Sequence, residues 1–295
     1  MEIIRTVAWM KQVGRAARQQ DRVLGLVPTM GALHEGHFSL VRAARAQCSP
    51  VVVSLFINPK QFGPSEDLQK YPRTFEADCV ALESLGVDYL FAPPAEEIYP
   101  NGFRTAVVVE GLSERLEGRS RPGHFRGVAT VVLKLFEIVQ PHTAFFGRKD
   151  AQQLRIISQM VRDLNLDTEI VACPIVREAD GLALSSRNAY LSDESRRAAT
   201  ALHRSLDAVK RAIETGEKNV ARLLETGRNV LAGEPGAAVD YLEIVDAETL
   251  EPVVTLRGTC YVLVAAVVGG TRLIDNALIE SDPSEGRGDS FRVTL

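Results

Sequence analysis

An α/β fold with a Rossmann-like, doubly wound and mostly parallel sheet is predicted for residues 1–175, with a smaller α+β domain over 176–280. Three observations predict it. Short apolar runs alternate with stretches of helical period through the first half. Unusual polar clusters follow directly on several of those runs. After residue 175 the pattern changes to two charged amphipathic helices and two further apolar runs. Strands alternating with helices of this length imply a parallel sheet covered on both faces.

Taken in order, residues 22–28 (RVLGLVP), 51–57 (VVVSLFI), 87–91 (VDYLF), 105–109 (TAVVV), 142–146 (HTAFF) and 168–172 (TEIVA) are short and mostly β-branched or aromatic, and read as buried strands. A helix is expected from the turn at 34–37 to about residue 47. Residues 126–139 put Val128, Val131, Val132, Leu135 and Val139 on one stripe, and residues 149–164 do so with Leu154, Ile157, Val161 and Leu164. Beyond residue 175, 193–214 and 217–232 read as amphipathic helices, and 238–245 with 260–268 as strands able to pair. The tail from 281 to 295 is polar and Gly/Ser-rich and is expected to be poorly ordered.

The 295 residues are 45% hydrophobic and 24% charged, which excludes a disordered chain and a collagen-like fibre. Lys and Arg number 34 against 38 Asp and Glu, a net charge of −4 that gives no global pull towards nucleic acid or anionic lipid. Cys48, Cys79, Cys173 and Cys260 stand far apart and read as reduced, mostly buried thiols. No apolar run approaches the ~20 residues that span a bilayer, and no leader segment is evident, so a cytoplasmic protein is expected.

The polar clusters carry the chemistry. They are residues 28–37 (PTMGALHEGH), 58–62 (NPKQF), 147–153 (GRKDAQQ) and 176–187 (VREADGLALSSR). In a parallel sheet the strand ends ahead of them share one edge, where doubly wound folds place their ligands. His34 and His37 flank Gly36 at the opening of a helix, beside unpaired backbone N–H groups, which suits a phosphate. The alternatives for this H-x-x-H are a metal pair, for which no third ligand falls in a matching cluster, or two surface histidines. Lys149 in a first helical turn opposes the helix dipole and calls for an anion, whereas Asp150 could simply complement that dipole. Gln152 and Gln153 could equally be exposed helix residues. Ser185-Ser186-Arg187 offers two hydroxyls and a guanidinium to a phosphate, though any solvated loop can carry such a triplet. The Arg-rich stretch 115–126 reads as a solvated surface or dimer contact. P-loop, G-x-G-x-x-G and G-x-S-x-G patterns are missing.

In this order the blocks resemble the pantoate–β-alanine ligase family. VPTMGALHEGHFSLV is similar to its HxGH-type turn. VVVSLFINPKQFGPSEDLQKYPRT, RPGHFRGVATVVLKLF, FFGRKDAQQL, SSRNAYLS, YLEIVDAETLEPV and GTRLIDN are similar to later blocks, over roughly residues 1–279. The turn and the Ser-Ser-Arg loop also resemble the HIGH and KMSKS elements of class I aminoacyl-tRNA synthetases.

The resemblance implies an HxGH nucleotidyltransferase-like fold and a Mg²⁺-dependent, two-step reaction. The carboxylate of (R)-pantoate attacks the α-phosphorus of ATP to give pantoyl adenylate and pyrophosphate, and the amine of β-alanine then releases pantothenate and AMP. It implies an ATP site on Met30, Gly31, Ala32, Leu33, His34, Glu35, Gly36 and His37, on Gly147, Arg148, Lys149 and Asp150, on Val176, and on Leu184, Ser185, Ser186 and Arg187. His37 would donate a hydrogen bond as charge develops, with His34 beside it. Lys149 and Arg187 would brace the phosphates, and Gly147 and Asp150 would face the ribose. Gln61 and Gln153 would bind pantoate, and Gln61 also β-alanine, with Asn58 as a neighbour. Leu184 stands where the family often has Met, with little consequence expected. Mg²⁺ would be held mainly by the ATP phosphates. The C-terminal domain is expected to form a lid over the ATP site, the loop 63–74 a second lid, and the chain a homodimer. The competing readings are a nucleotidyltransferase of the same fold and a non-catalytic nucleotide-binding module.

Overall fold

The computed structural model describes residues 1–64, 66–281 and 291–295. The chain divides into two compact units, one of Met1–Arg148 with Gln152–Pro174 and one of Lys149–Ala151 with Ile175–Leu295.

In the first unit β1 (Glu2–Ile4), β2 (Gly25–Thr29), β3 (Val51–Leu55), β4 (Tyr89–Phe91), β5 (Thr143–Gly147) and β6 (Glu169–Cys173) form a parallel sheet in the order β1-β4-β3-β2-β5-β6. Leu26, Val27 and Val51 to Val53 are fully buried, because a parallel sheet covered on both faces leaves no side of a central strand wet. Helices α1 (Val7–Gln19), α2 (Glu35–Gln47), α3 (Phe75–Ser84), α4 (Ala95–Ile98), α5 (Glu117–Ser120), α6 (His124–Val139) and α7 (Ala151–Asp163) connect the strands. Leu40, Val41 and Ala44 of α2 and Leu82 of α3 pack in one core with Val27, Val51, Val53, Leu90 and Phe145 of the sheet. The strand order reverses between β2 and β5, which makes the crevice beyond their carboxyl ends a topological switch point.

Several expectations are corrected here. Residues 105–109 form no strand. Val107 N donates to Thr130 Oγ1 of α6 at 2.9 Å and Val108 is 49% exposed, so a helix side chain takes the place of a ladder partner. Strand β1 pairs with β4 over three residues and was hidden by its shortness. Leu164 lies beyond the end of α7 and is exposed, while Ile156 and Met160 fill the buried face of that helix with Leu154 and Ile157.

The second unit packs α8 (Asp193–Glu214) and α9 (Val220–Ala232) with an antiparallel sheet of β7 (Ala237–Asp246), β8 (Cys260–Val268), β9 (Thr271–Ser281) and β10 (Phe291–Thr294), ordered β10-β9-β8-β7. Ser192 caps α8 and Asn219 caps α9, each accepting from a backbone N–H three residues on. Gly269 and Gly270, with φ of +55° and +77°, make the two-residue turn between β8 and β9 that the right-handed strand twist favours. The tail expected to be poorly ordered ends instead in β10, where Phe291–Thr294 pair with Leu278 to Ser281 and Val293 joins the apolar core. Residues 282–290 of that tail lie outside the described residues.

Candidate active site

The end of β2 is built for a tight turn. Gly31 has φ +83° and Ala32 φ +51°, two successive left-handed residues of which only glycine adopts that conformation without strain. Asp78 of α3, 3% exposed, holds the strained turn: its two carboxylate oxygens accept from Ala32 N at 3.0 Å and Leu33 N at 2.9 Å, and Thr74 Oγ1 donates to it at 3.1 Å. Sequence reading missed Asp78, since an aspartate in a helix reads as solvent-facing until the turn folds onto it.

His34 is the N-cap of α2, and the two histidines form a reciprocal cap. His34 Nδ1 accepts from Gly36 N at 3.2 Å, and His37 Nδ1 accepts from His34 N at 3.3 Å. A ring nitrogen that accepts cannot carry the proton, so each neutral imidazole keeps its hydrogen on Nε2. The capping box that Ser and Glu usually supply is here made by two imidazoles, with ring centroids 4.2 Å apart. Glu35, in the expected ATP segment, pairs its carboxylate with Arg42 on the same helix. Met30 Sδ accepts from Gln61 Nε2 at 2.9 Å, which brings the first cluster to the second.

The second cluster is organised by Asn58, 1% exposed. Its Nδ2 donates to Gln61 Oε1 at 3.0 Å and to Gly127 O at 3.1 Å, and its Oδ1 accepts from Tyr99 OH at 2.8 Å and Lys60 N at 3.2 Å. With Oε1 committed, Gln61 must turn its NH₂ towards Met30. Burial pushes the Tyr99 hydroxyl up, so it remains a donor. Gly127 of α6 lets the helix lie directly on the Pro59–Gln61 turn: a Cβ there would sit 2.2 Å from Lys60 O.

Behind Gln61 runs a charged relay. Glu66 takes a bidentate contact from Arg121 at 2.7 and 2.8 Å, Arg121 meets His124 Nε2 at 3.2 Å, and His124 Nδ1 lies 2.8 Å from Gln61 O. Arg121 and His124 are half-buried and held by these partners, which corrects the expectation of a solvated surface for this part of 115–126. Within the loop 63–74, Glu66 is held by Arg121, and Ser65 lies outside the described residues. Burial, then the Arg121 charge, pushes His124 down to about 4, with Glu66 and Glu117 pulling the other way. The Arg121 hydrogen bond and charge bring Glu66 below its ordinary value, against the effect of burial.

The sign follows. Between about pH 6.5 and 4 the unfolded chain protonates this histidine and the folded chain does not, so stability falls as the solution is acidified through that window, by on the order of 3 kcal/mol. Glu66 adds its own loss as the pH falls from the ordinary carboxylate value towards its lowered one. Urea unfolding at pH 7 and pH 4.5 should show the drop for the native chain, and His124→Gln should reduce it to the share left by His142 and His203, which burial also pushes down. An equal drop in that variant would assign the effect to other groups.

At the end of β5, Gly147 pairs with Cys173 and an added Cβ would meet nothing within 4 Å. Gln152 is 4% exposed and clamps the chain before α5, accepting from Glu117 N at 3.0 Å and donating to Leu112 O at 2.8 Å and Arg115 O at 2.9 Å. It is a structural amide, whereas Gln153 is half-buried at the start of α7.

Residues 176–188 belong to the second unit and form a pinned hairpin rather than a free loop. Leu184 N donates to Val176 O at 3.0 Å and Arg177 bridges Ala183, which puts Val176 and Leu184 side by side. Ser185 caps the short helical turn Ser186–Tyr190, accepting from Arg187 N at 3.3 Å. Glu178 secures the turn through Asn188 Nδ2 at 3.1 Å and is itself gripped by both terminal nitrogens of Arg196 at 2.9 and 2.7 Å. Gly181, with φ +88°, packs on the His203 ring. Thus the structure brings residues 28–37, 58–62 and 147–148 to one sheet edge, and groups Lys149 and Asp150 with 176–187 in the second unit.

The family model described as pantoate-beta-alanine ligase matches residues 2–278. A pantothenate synthetase of Koribacter versatilis is 56% identical over 281 residues, covering 95% of this chain and 97% of that protein. One of Acidobacterium capsulatum is 59% identical over 263 residues, 89% of this chain and 88% of that protein. Among solved structures, pantothenate synthetase from Thermus thermophilus superposes with a TM-score of 0.89 at 48% identity, over 94% of this chain and 98% of that one. The pantoate-beta-alanine ligase of Francisella tularensis, complexed with beta-gamma ATP and beta-alanine, gives 0.76 at 35% identity over 94% and 97%.

Proposed function

The chain belongs to the pantoate–β-alanine ligase family, and on that premise we propose that it is the ATP-dependent ligase that condenses (R)-pantoate with β-alanine to pantothenate, AMP and pyrophosphate. Membership sets aside a nucleotidyltransferase of the same fold and a non-catalytic module. A pantoate carboxylate oxygen attacks the α-phosphorus, and the bond to the bridging oxygen of pyrophosphate breaks. The β-alanine amine then attacks the acyl carbon of the adenylate, the bond to the phosphate oxygen breaks, and AMP leaves as the amine loses its proton.

The observation that carries the site assignment is the coupling of two pre-set donors to one pre-set amide: the His34 and His37 Nε2–H groups and, through Met30, the Gln61 NH₂. Negative charge builds on the phosphates during adenylation, and donors fixed beforehand need no reorganisation at that moment. His37 and His34 meet the α-phosphate with residues 30–36 around it. Lys149 and Arg187 brace the outgoing pyrophosphate, with Ser185 and Ser186 in support. Gly147 and Asp150 receive the ribose and Leu184 the adenine, with Arg148 and Val176 completing the ATP site. Gln61 and Gln153 hold pantoate, since an amide can accept from a hydroxyl and donate to a carboxylate. Gln61 also meets β-alanine.

Among the described residues no group of three or more His, Cys, Asp or Glu is arranged to hold a metal. Mg²⁺ would be held mainly by the ATP phosphates, as part of the substrate, and would neutralise their charge. Family membership supports a homodimer in the cytoplasm, and among the described residues no helix is long and apolar enough to cross a membrane.

The test is a product assay with ATP, Mg²⁺, (R)-pantoate and β-alanine, read by mass spectrometry. Equal amounts of AMP and pantothenate are expected, with pyrophosphate. Without β-alanine, pyrophosphate should stop at the level of enzyme present. ADP in place of AMP would mean an acyl phosphate and overturn the adenylate route.

A further inference from the structure

Asp275 and Asn276 are adjacent in β9 and only 4% and 2% exposed, in a strand whose other central members are Leu273, Ile274, Ala277, Leu278 and Ile279. Buried polar side chains are tolerated where hydrogen bonds answer them. Here the answering groups lie in the two phosphate-facing segments of the second unit. Asp275 accepts from both Arg177 terminal nitrogens at 2.6 and 3.0 Å, and this ion pair is nearly dry, with side chains 14% and 3% exposed. Arg177 also donates to Gly181 O at 3.1 Å and bridges Ala183, so it is the base of the hairpin that delivers Leu184 to Arg187. One residue on, Asn276 Nδ2 donates to the backbone carbonyl of Lys149 at 2.8 Å.

We propose that Asp275 and Asn276 are positioning residues for adenylation: this one dipeptide sets the Lys149 backbone and the Ser185–Arg187 turn against a common strand. Successive strand residues point to opposite sides, so one register position grips the hairpin while the next grips the Lys149 segment. A shift of either segment would misplace a cation that must meet the phosphates within a fraction of an ångström, and catalysis is sensitive to errors of that size. The inference rests on the reading of Lys149 and Arg187 given above.

The experiment is single-turnover pyrophosphate release with ATP and pantoate and no β-alanine. Asn276→Ala should slow it by roughly 10- to 50-fold, with the pantoate KM within about twofold and a melting midpoint lower by only the few degrees that one lost buried hydrogen bond accounts for. The double variant Lys149→Ala/Asn276→Ala should be no slower than Lys149→Ala, because Asn276 acts through that residue. Asp275→Asn, which keeps an acceptor but loses the charge, should raise the ATP KM and leave the pantoate KM in place. An unchanged rate in Asn276→Ala, or full multiplication of the two single effects, overturns the proposal. So does an equal rise in both KM values with a lowered melting midpoint. If Lys149→Ala is itself as fast as the native chain, what fails is the role given to Lys149. Should Asn276→Ala not fold, Asn276→Ser is read against the same outcomes.

Discussion

His37→Ala should slow pyrophosphate release from ATP and pantoate by roughly 10²- to 10³-fold, the loss that follows removal of one donor aimed at developing charge. Two effects of the substitution separate cleanly. The cap loses the acceptor for His34 N, which costs about 1 kcal/mol of helix stability. The site loses the Nε2–H, which the Nδ1 contact keeps protonated in the neutral ring. His37→Asn, whose side-chain oxygen can still accept from the backbone, should recover the melting midpoint but little of the rate. His34→Ala should behave in the same sense, since Gly36 N loses its acceptor together with the second Nε2–H. Single-turnover rates beside thermal melts decide it. A rate loss of only a few fold, tracking the stability loss, would reduce both histidines to a helix cap.

The alternation of runs and helical periods made the first sheet legible because each central strand is apolar on both faces. Placing the polar clusters after those strands made its carboxyl edge legible as the candidate site. What stayed hidden depends on partners far along the chain. Asp78, Tyr99 and Gly127 each act on a turn distant in sequence, and no local pattern marks them. Asp78 meets Leu33 across 45 residues, and Tyr99 and Gly127 meet Asn58 across 41 and 69. Residues 105–109 carry the right residue types for a strand, yet their neighbour is α6, and a ladder needs a strand beside it. Strand β9 escaped because Asp275 and Asn276 break its apolar run, although the Gly-Gly pair ahead of it is a hairpin signal in its own right. The polar residues that obscured the strand are the ones that hold Arg177 and Lys149.

Gly127→Ala should be strongly disruptive for a change of a single methyl group. On an exposed helix the substitution would stabilise by up to about 1 kcal/mol, since glycine is the poorer helix former. At this position the new Cβ would lie 2.2 Å from Lys60 O, 2.4 Å from Lys60 C and 2.6 Å from Gln61 N. All three are backbone atoms, so no side-chain rotation relieves the clash, and α6 and the Pro59–Gln61 turn must separate. Overpacking of this kind costs about 1–3 kcal/mol, to which the broken Asn58 Nδ2 contact to Gly127 O adds. A fall in melting midpoint of roughly 5–12 °C is expected at the usual 2–4 °C per kcal/mol for a domain of this size. The functional effect should be selective. Once Asn58 no longer holds Gln61 Oε1, the amide can rotate, and the pantoate KM should rise by roughly tenfold or more, as when a site group is left mispaired. The ATP KM should move far less, because Asp78 and the paired histidines hold their own turn without help from α6. If the midpoint falls while both KM values stay in place, the 59–61 turn recovers its shape without α6, and Gln61 is not set by this packing.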